Sequence, residues 1–276
     1  MESMMLRSHA RGASWRGLCA SIGVVLLMSA VAGAQKLVPT GFAPSVHVDS
    51  AYFRGETLYV VHRVSNATSS TVPVWGIVLE TPATGISQKR PGNGHWFLNR
   101  GTFDGRQTVQ WMGLGRATIE AGRTSPALIL GGVGLPGVVR RWVIAYTPPP
   151  KTENPDREPD IDPMVQRSVP GWSVGIVPVP ADGTPASLTT RLRALLTRSC
   201  GELKWITQAG VCHSLDVKLE HAQSALRSGQ TNVARNELSA FANELDAQYG
   251  PQPGKRVTDA GYALLSPNVT YLLRHL

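Results

Sequence analysis

Gly171-Trp-Ser173-Val-Gly175 is the stretch whose residue types and spacing match a catalytic motif, the G-x-S-x-G nucleophile elbow. An elbow sets its serine on a sharp turn between a strand and a helix, with the hydroxyl exposed and a backbone N–H beside it. Here the motif runs into Ile-Val-Pro178-Val-Pro180, which cannot open a helix. The downstream histidines, His213, His221 and His275, all fall in a helical C-terminal stretch, and no βαβ pattern precedes the motif. Ser173 is expected in a strand, and no catalytic residue is assigned. A secreted serine hydrolase using Gly171–Gly175 stands as the alternative.

Metal and cofactor chemistry find less. His47-Val-Asp49 has the strand spacing that puts two ligands on one face, but no third ligand is near. Cys212-His213 with Cys200 has zinc-ligand types, yet two cysteines of an exported chain more simply form a disulfide, and Cys200–Cys212 is the expected bridge. Gly113-Leu-Gly115-Arg lacks the third glycine and the following helix of a dinucleotide loop. Glu153, Asp156, Glu158, Asp160 and Asp162, mixed with prolines, could offer oxygen ligands to calcium. They lack the glycine and the closing glutamate of the standard loop, so a solvated connector is expected. No metal and no cofactor is assigned. Asn66-Ala-Thr68 and Asn268-Val-Thr270 are glycosylation sequons.

The elements that must position these residues follow from periodicity. Leu58, Val60, His62 and Val64 alternate with Tyr59, Val61 and Arg63; the same period of two runs through 74–79 and 139–146. Shorter runs lie near Val46, at 96–98, 109–111, 127–130 and 172–177, separated by turns such as Phe103-Asp104-Gly105-Arg106. Seven or eight short strands with no helical pattern between them predict an antiparallel β-sandwich, immunoglobulin-like, over 35–147. Its Trp75, Trp96, Trp111 and Trp142 are expected in the core. Residues 148–187 form a Pro-rich acidic linker that includes a candidate last strand at 172–177.

From Leu188 to Leu276 the period changes to that of helices. Leu188, Leu192, Leu195 and Leu196 make one stripe behind a cap at Ser187 or Thr189. Leu215, Leu219, Ala222 and Leu226 make a second behind Ser214, closed by Gly229. Ala234, Leu238, Phe241 and Leu245 make a third behind Thr231. Thr258 opens a fourth segment, which Pro267 breaks or kinks. Single stripes must be buried against one another, so a small disulfide-bridged bundle is predicted over 188–276.

Within that stretch Ser214-Leu-Asp-Val-Lys-Leu-Glu-His-Ala, Arg227-Ser-Gly-Gln-Thr-Asn-Val-Ala-Arg-Asn-Glu-Leu-Ser-Ala-Phe241 and Ala247-Gln-Tyr-Gly-Pro-Gln-Pro-Gly-Lys255 resemble the FIMAH-type helical domain of secreted bacterial proteins. The resemblance covers roughly the last third of the chain. It implies an extracellular accessory module and supplies no catalytic residues.

Charge and the N-terminus complete the reading. Arg7, Arg11 and Arg16 precede an apolar run, Leu18 to Ala30, and Ala32-Gly-Ala34, the pattern of a secretory signal cleaved after Ala34. The apolar run is shorter than a membrane span requires. Removal of residues 1–34 takes three arginines and Glu2, lowering the formal charge from +8 to +6. A mildly basic middle domain could meet an anionic polysaccharide or a membrane surface, but a soluble face with scattered arginines is the expected reading; no Lys/Arg run interleaves with aromatics, and export argues against nucleic acid. The chain is thus expected to be an exported bacterial, non-catalytic binding or structural protein of the cell surface, periplasm or extracellular space. Its partner is an unknown extracellular protein or polysaccharide, with no transmembrane span in the mature chain.

Overall fold

The computed structural model describes residues 37–89, 96–113, 117–146 and 161–276. The sequence-stretch 1–34, with its proposed cleavage site, and the acidic run 153–160 lie outside them. Nine strands come first: β1 (Pro44–Arg54), β2 (Thr57–Asn66), β3 (Val74–Glu80), β4 (Ser87–Lys89), β5 (Trp96–Phe103), β6 (Arg106–Gly113), β7 (Leu128–Val133), β8 (Leu135–Ala145) and, after a short helix α1 (Ile161–Gln166), β9 (Ser168–Val177). Four helices follow: α2 (Pro185–Cys200), α3 (Ala209–Arg227), α4 (Thr231–Gln248) and α5 (Asp259–Arg274).

The strands form two antiparallel sheets, a β-sandwich. Sheet A has the order β1-β2-β7-β4 and sheet B the order β5-β6-β3-β8-β9. Alternation along β2 buries Leu58, Val60, His62 and Val64 between the sheets and turns Tyr59, Val61 and Arg63 outward. Trp96, Trp111 and Trp142 are buried, and half-buried Trp75 donates its indole N–H to the Gly113 carbonyl. Two tight turns fix register. Gly55, at φ +59°, joins β1 to β2 through a two-residue loop, so Arg54 pairs Thr57 and Tyr52 pairs Tyr59. Asp104 and Gly105, both with positive φ, turn β5 into β6. The three-residue β4 carries too little pattern to be visible in the sequence.

The four helices bury the expected stripes, among them Leu192, Leu215, Leu219, Leu238, Phe241 and Leu245. Each such side chain contributes about 1.5–3 kcal/mol relative to exposure. Three starts differ from the sequence expectation, one being α4, where Thr231 is the first helical residue and Gln230 holds the cap position without a side-chain bond. Thr184, not Ser187 or Thr189, caps α2, accepting from the Ser187 N–H, because Pro185 at the first helical position has no N–H to satisfy. α3 begins at Ala209 rather than after Ser214, since Val211 is buried and Cys212 is tied to α2. Ser214 instead donates to Glu244 on α4, beside the 2.7 Å Lys218–Glu244 pair. α5 runs through Pro267 as one helix.

The helices share one continuous core with the sandwich. α5 lies against β1, β8 and β9, on the side where the edges of both sheets approach each other. Its Tyr271 packs on Phe53 of β1, with ring centroids 5.9 Å apart. At the junction Asn268 donates to the carbonyls of Pro136 and Leu264, and Arg191 of α2 donates to the same Pro136 carbonyl at 2.8 Å. Burial lowers the pKa of Arg191 to about 10, which leaves it charged at neutral pH.

Candidate functional site

Ser173 lies in the middle of β9, paired with Val139 of β8, and is 2% exposed. Its Oγ has no hydrogen-bond partner. The two glycines of the motif answer to packing. A Cβ on Gly175 would meet Val139 Cγ2 at 2.6 Å, and one on Gly171 would meet the guanidinium of Arg141 at 2.9 Å. The motif therefore builds a flat strand edge over which neighbouring side chains fold, and the turn that exposes an elbow serine is not formed.

The other candidates are also placed. Cys200 and Cys212 form a disulfide, with Cα atoms 6.0 Å apart, joining the end of α2 to the start of α3. A shallow depression of about 370 Å³ beside it is lined by Thr197, Gly201, His213 and Asp216. Asp216 is occupied by a bidentate bond from Arg193, 2.6 and 2.8 Å, which holds its carboxyl below the usual range. A β-bulge at Asp49 separates the His47 and Asp49 side chains in role: Asp49 pairs with Arg63, and His47 meets the Ser45 hydroxyl. Among the described residues no group of three His, Cys, Asp or Glu side chains could hold a metal ion. Both sequon asparagines are buried, and the Asn66 amide donates to Val72 and Ile119 carbonyls. They serve as internal clasps between loops and elements.

His62, read from the sequence only as an inward strand residue, is fully buried on β2 and makes a 2.8 Å bond to the Val174 carbonyl of β9. Burial pushes its pKa down to about 4, against the smaller raising effects of backbone groups and Asp49. A neutral imidazole that joins the two sheets is a structural tie.

The surface that stands out is the outer face of sheet A. Register aligns Tyr52, Tyr59, Gly131 and Ser87 in one row across β1, β2, β7 and β4. The rows on either side are Arg54, Thr57 and Val133, and Ser50, Val61, Ile129 and Lys89. The Tyr52 and Tyr59 rings are offset-stacked at 5.6 Å. Tyr59 lies over Gly131, where a Cβ would meet the ring at 2.9 Å, so glycine lets the ring lie close to the sheet. Lys89 Nζ stands 5.6 Å from the Tyr59 centroid. Tyr52 is 46% exposed and Val133 67%, two of the most exposed large apolar side chains. Strand periodicity alone does not show this face; the two-residue turn at Gly55-Glu56 is the signal that sets Tyr52 opposite Tyr59.

A second aromatic site, Trp172 on β9, is held between Arg140 and Arg198, whose guanidinium carbons stand 4.5 and 4.7 Å from its ring centroid. Both of those contacts come from the protein itself, joining α2 to the sandwich. Among the described residues no helix is long and apolar enough to cross a membrane.

No protein-family model and no curated protein sequence matches the chain. Among solved structures, it is similar to an uncharacterised Nocardia farcinica protein with an immunoglobulin-like fold, at 12% identity and a TM-score of 0.29, over 49% of this chain and 97% of that one. It is also similar to the major pilin SpaA of Corynebacterium diphtheriae, at 13% identity and a TM-score of 0.26, over 50% of this chain and 38% of the pilin. Likeness at that level assigns no function.

Proposed function

We propose that the chain is an exported, non-catalytic binding protein of the cell surface, periplasm or extracellular space, released by cleavage after Ala34. The observation that carries this reading is the outer face of sheet A, where exposed Tyr52 and Val133 flank half-buried Tyr59 on a rigid scaffold. Rigid sheets presenting aromatic side chains lose little entropy on binding. The buried mid-strand position of Ser173 favours binding over hydrolysis. The disulfide suits an oxidising compartment.

The sandwich is proposed to be immunoglobulin-like. The order β1-β2-β7-β4 follows an ABED sheet and β3-β8-β9 a CFG sheet, with the β5–β6 hairpin added beside β3. The helices at 188–276 are proposed to be a FIMAH-type module.

The test is retention of the mature full chain on isolated cell-envelope material, with Tyr52→Ala beside it. Binding that Tyr52→Ala weakens, with no fluorophosphonate labelling of either protein, supports the reading. Labelling that Ser173→Ala abolishes would overturn it in favour of a hydrolase.

A further inference from the structure

We propose that the outer face of sheet A binds an acidic polysaccharide, a chain of carboxylate-bearing sugars laid across the Tyr52–Tyr59 pair between Arg54 and Lys89. This deepens, and rests on, the reading of that face as the binding surface.

Shape is the first argument. The face is an open sheet surface rather than a cavity, which suits an extended polymer more than a small molecule. Its centre is two offset tyrosine rings, and the apolar C–H face of a pyranose packs on such a ring while the phenol hydroxyls remain free to meet sugar hydroxyls. Gly131 lets the Tyr59 ring lie down on the sheet beside Ser87, so the row presents a low, flat platform.

Charge is the second. Arg54 and Lys89 lie on the two outer strands of the sheet, and among the described residues neither forms an ion pair, Lys89 resting on the Tyr59 ring. The face's remaining arginine, Arg63, is by contrast neutralised by Asp49 at 2.5 Å. Three inter-strand steps and four residues along the strands put the two Cα positions roughly 20 Å apart, and the Lys89 ammonium reaches back to 5.6 Å from the Tyr59 ring. A short oligosaccharide fits that patch, with one carboxylate at Arg54, a second at Lys89 and a sugar between them on the Tyr52 ring. A neutral glycan would leave both cations unused.

The experiment is affinity electrophoresis and calorimetry of the mature full chain with polygalacturonate, alginate and hyaluronan, using dextran as the uncharged control and dextran sulfate as a non-stacking polyanion control. Retention by at least one carboxylated polymer and none by dextran is expected. Tyr52→Ala should weaken it roughly tenfold. Lys89→Gln should weaken it less and flatten its dependence on salt. Lys89 is exposed, so its variant should melt as wild type does, and Tyr52→Ala should lose no more than the ring contact with Tyr59. Retention by none of the three, retention that survives Tyr52→Ala, or equal retention by dextran sulfate would each overturn the proposal. Capture of an envelope protein through Tyr52 in the absence of glycan binding would also overturn it. Release of reducing ends from the polymer, lost in Ser173→Ala, would sink the non-catalytic reading while leaving the Tyr52-dependent site in place.

Discussion

The imidazole of His62 on β2 donates across the sandwich to the Val174 carbonyl on β9, 2.8 Å away, and it does so from a site closed to water. The folded protein takes up this proton only near pH 4, whereas the unfolded chain takes it up near 6.5. Folding is therefore unaffected above pH 6.5 and weakens as pH falls from there to about 4. The loss attributable to His62 is about 3 kcal/mol. Urea titrations at pH 7, 5.5 and 4 should show a steeper fall for wild type than for His62→Gln, which keeps a donor for Val174. Parallel curves for the two proteins would refute the assignment.

The motif at 171–175 predicts an inverted pattern of sensitivity. Ser173→Ala removes a buried hydroxyl that has no partner, so stability should stay level or rise by up to about 1 kcal/mol. Gly175→Ala pushes a methyl into Val139 and should cost about 1–3 kcal/mol. Thermal melts of the two variants decide it, and a destabilised Ser173→Ala would show that the hydroxyl has a bonding role.

The Cys200–Cys212 bridge closes a loop of 13 residues, worth about 3 kcal/mol in the chain-entropy description. The double Cys→Ser variant should melt at lower temperature by that measure. Thiol titration of the denatured, unreduced mature protein should find no free thiol.

Asn268→Ala removes the amide that serves both Pro136 of the sandwich and Leu264 of its own helix. Pro136 keeps its bond from Arg191 and Leu264 stays within the ladder of α5, so the cost is that of the lost amide bonds, about 0.5–1.5 kcal/mol. Because helices and sandwich share a core, a single cooperative transition should shift as a whole. A separate early transition of the helices alone would contradict that coupling.

Much of this was legible in the residues. Alternation along β2 and the stripes of α2 to α4 are local patterns, and Phe103-Asp-Gly-Arg106 announces its own turn. β3 and β8 alternate in sequence too but are buried on both faces, since Val78, Trp142 and Ile144 pack with Phe103 and Met112 in a second cluster. The α3 start was not legible, because Ser214 is a good cap locally and only the buried Val211 and the disulfide outvote it. His62 was visible as an inward residue but its partner lies 112 positions away, a distance that no periodicity carries. The tyrosine face lay between. Tyr52 and Tyr59 are near in sequence, yet Gly131 and Lys89 join them only through sheet pairing.

The contact of α5 with β1 has a temporal side. β1 is among the earliest strands to be synthesised and an edge of its sheet, and its cover is the last helix of the chain. Unprotected edges recruit other strands, so a nascent or prematurely ended chain lacking residues 259–274 would carry a sticky border.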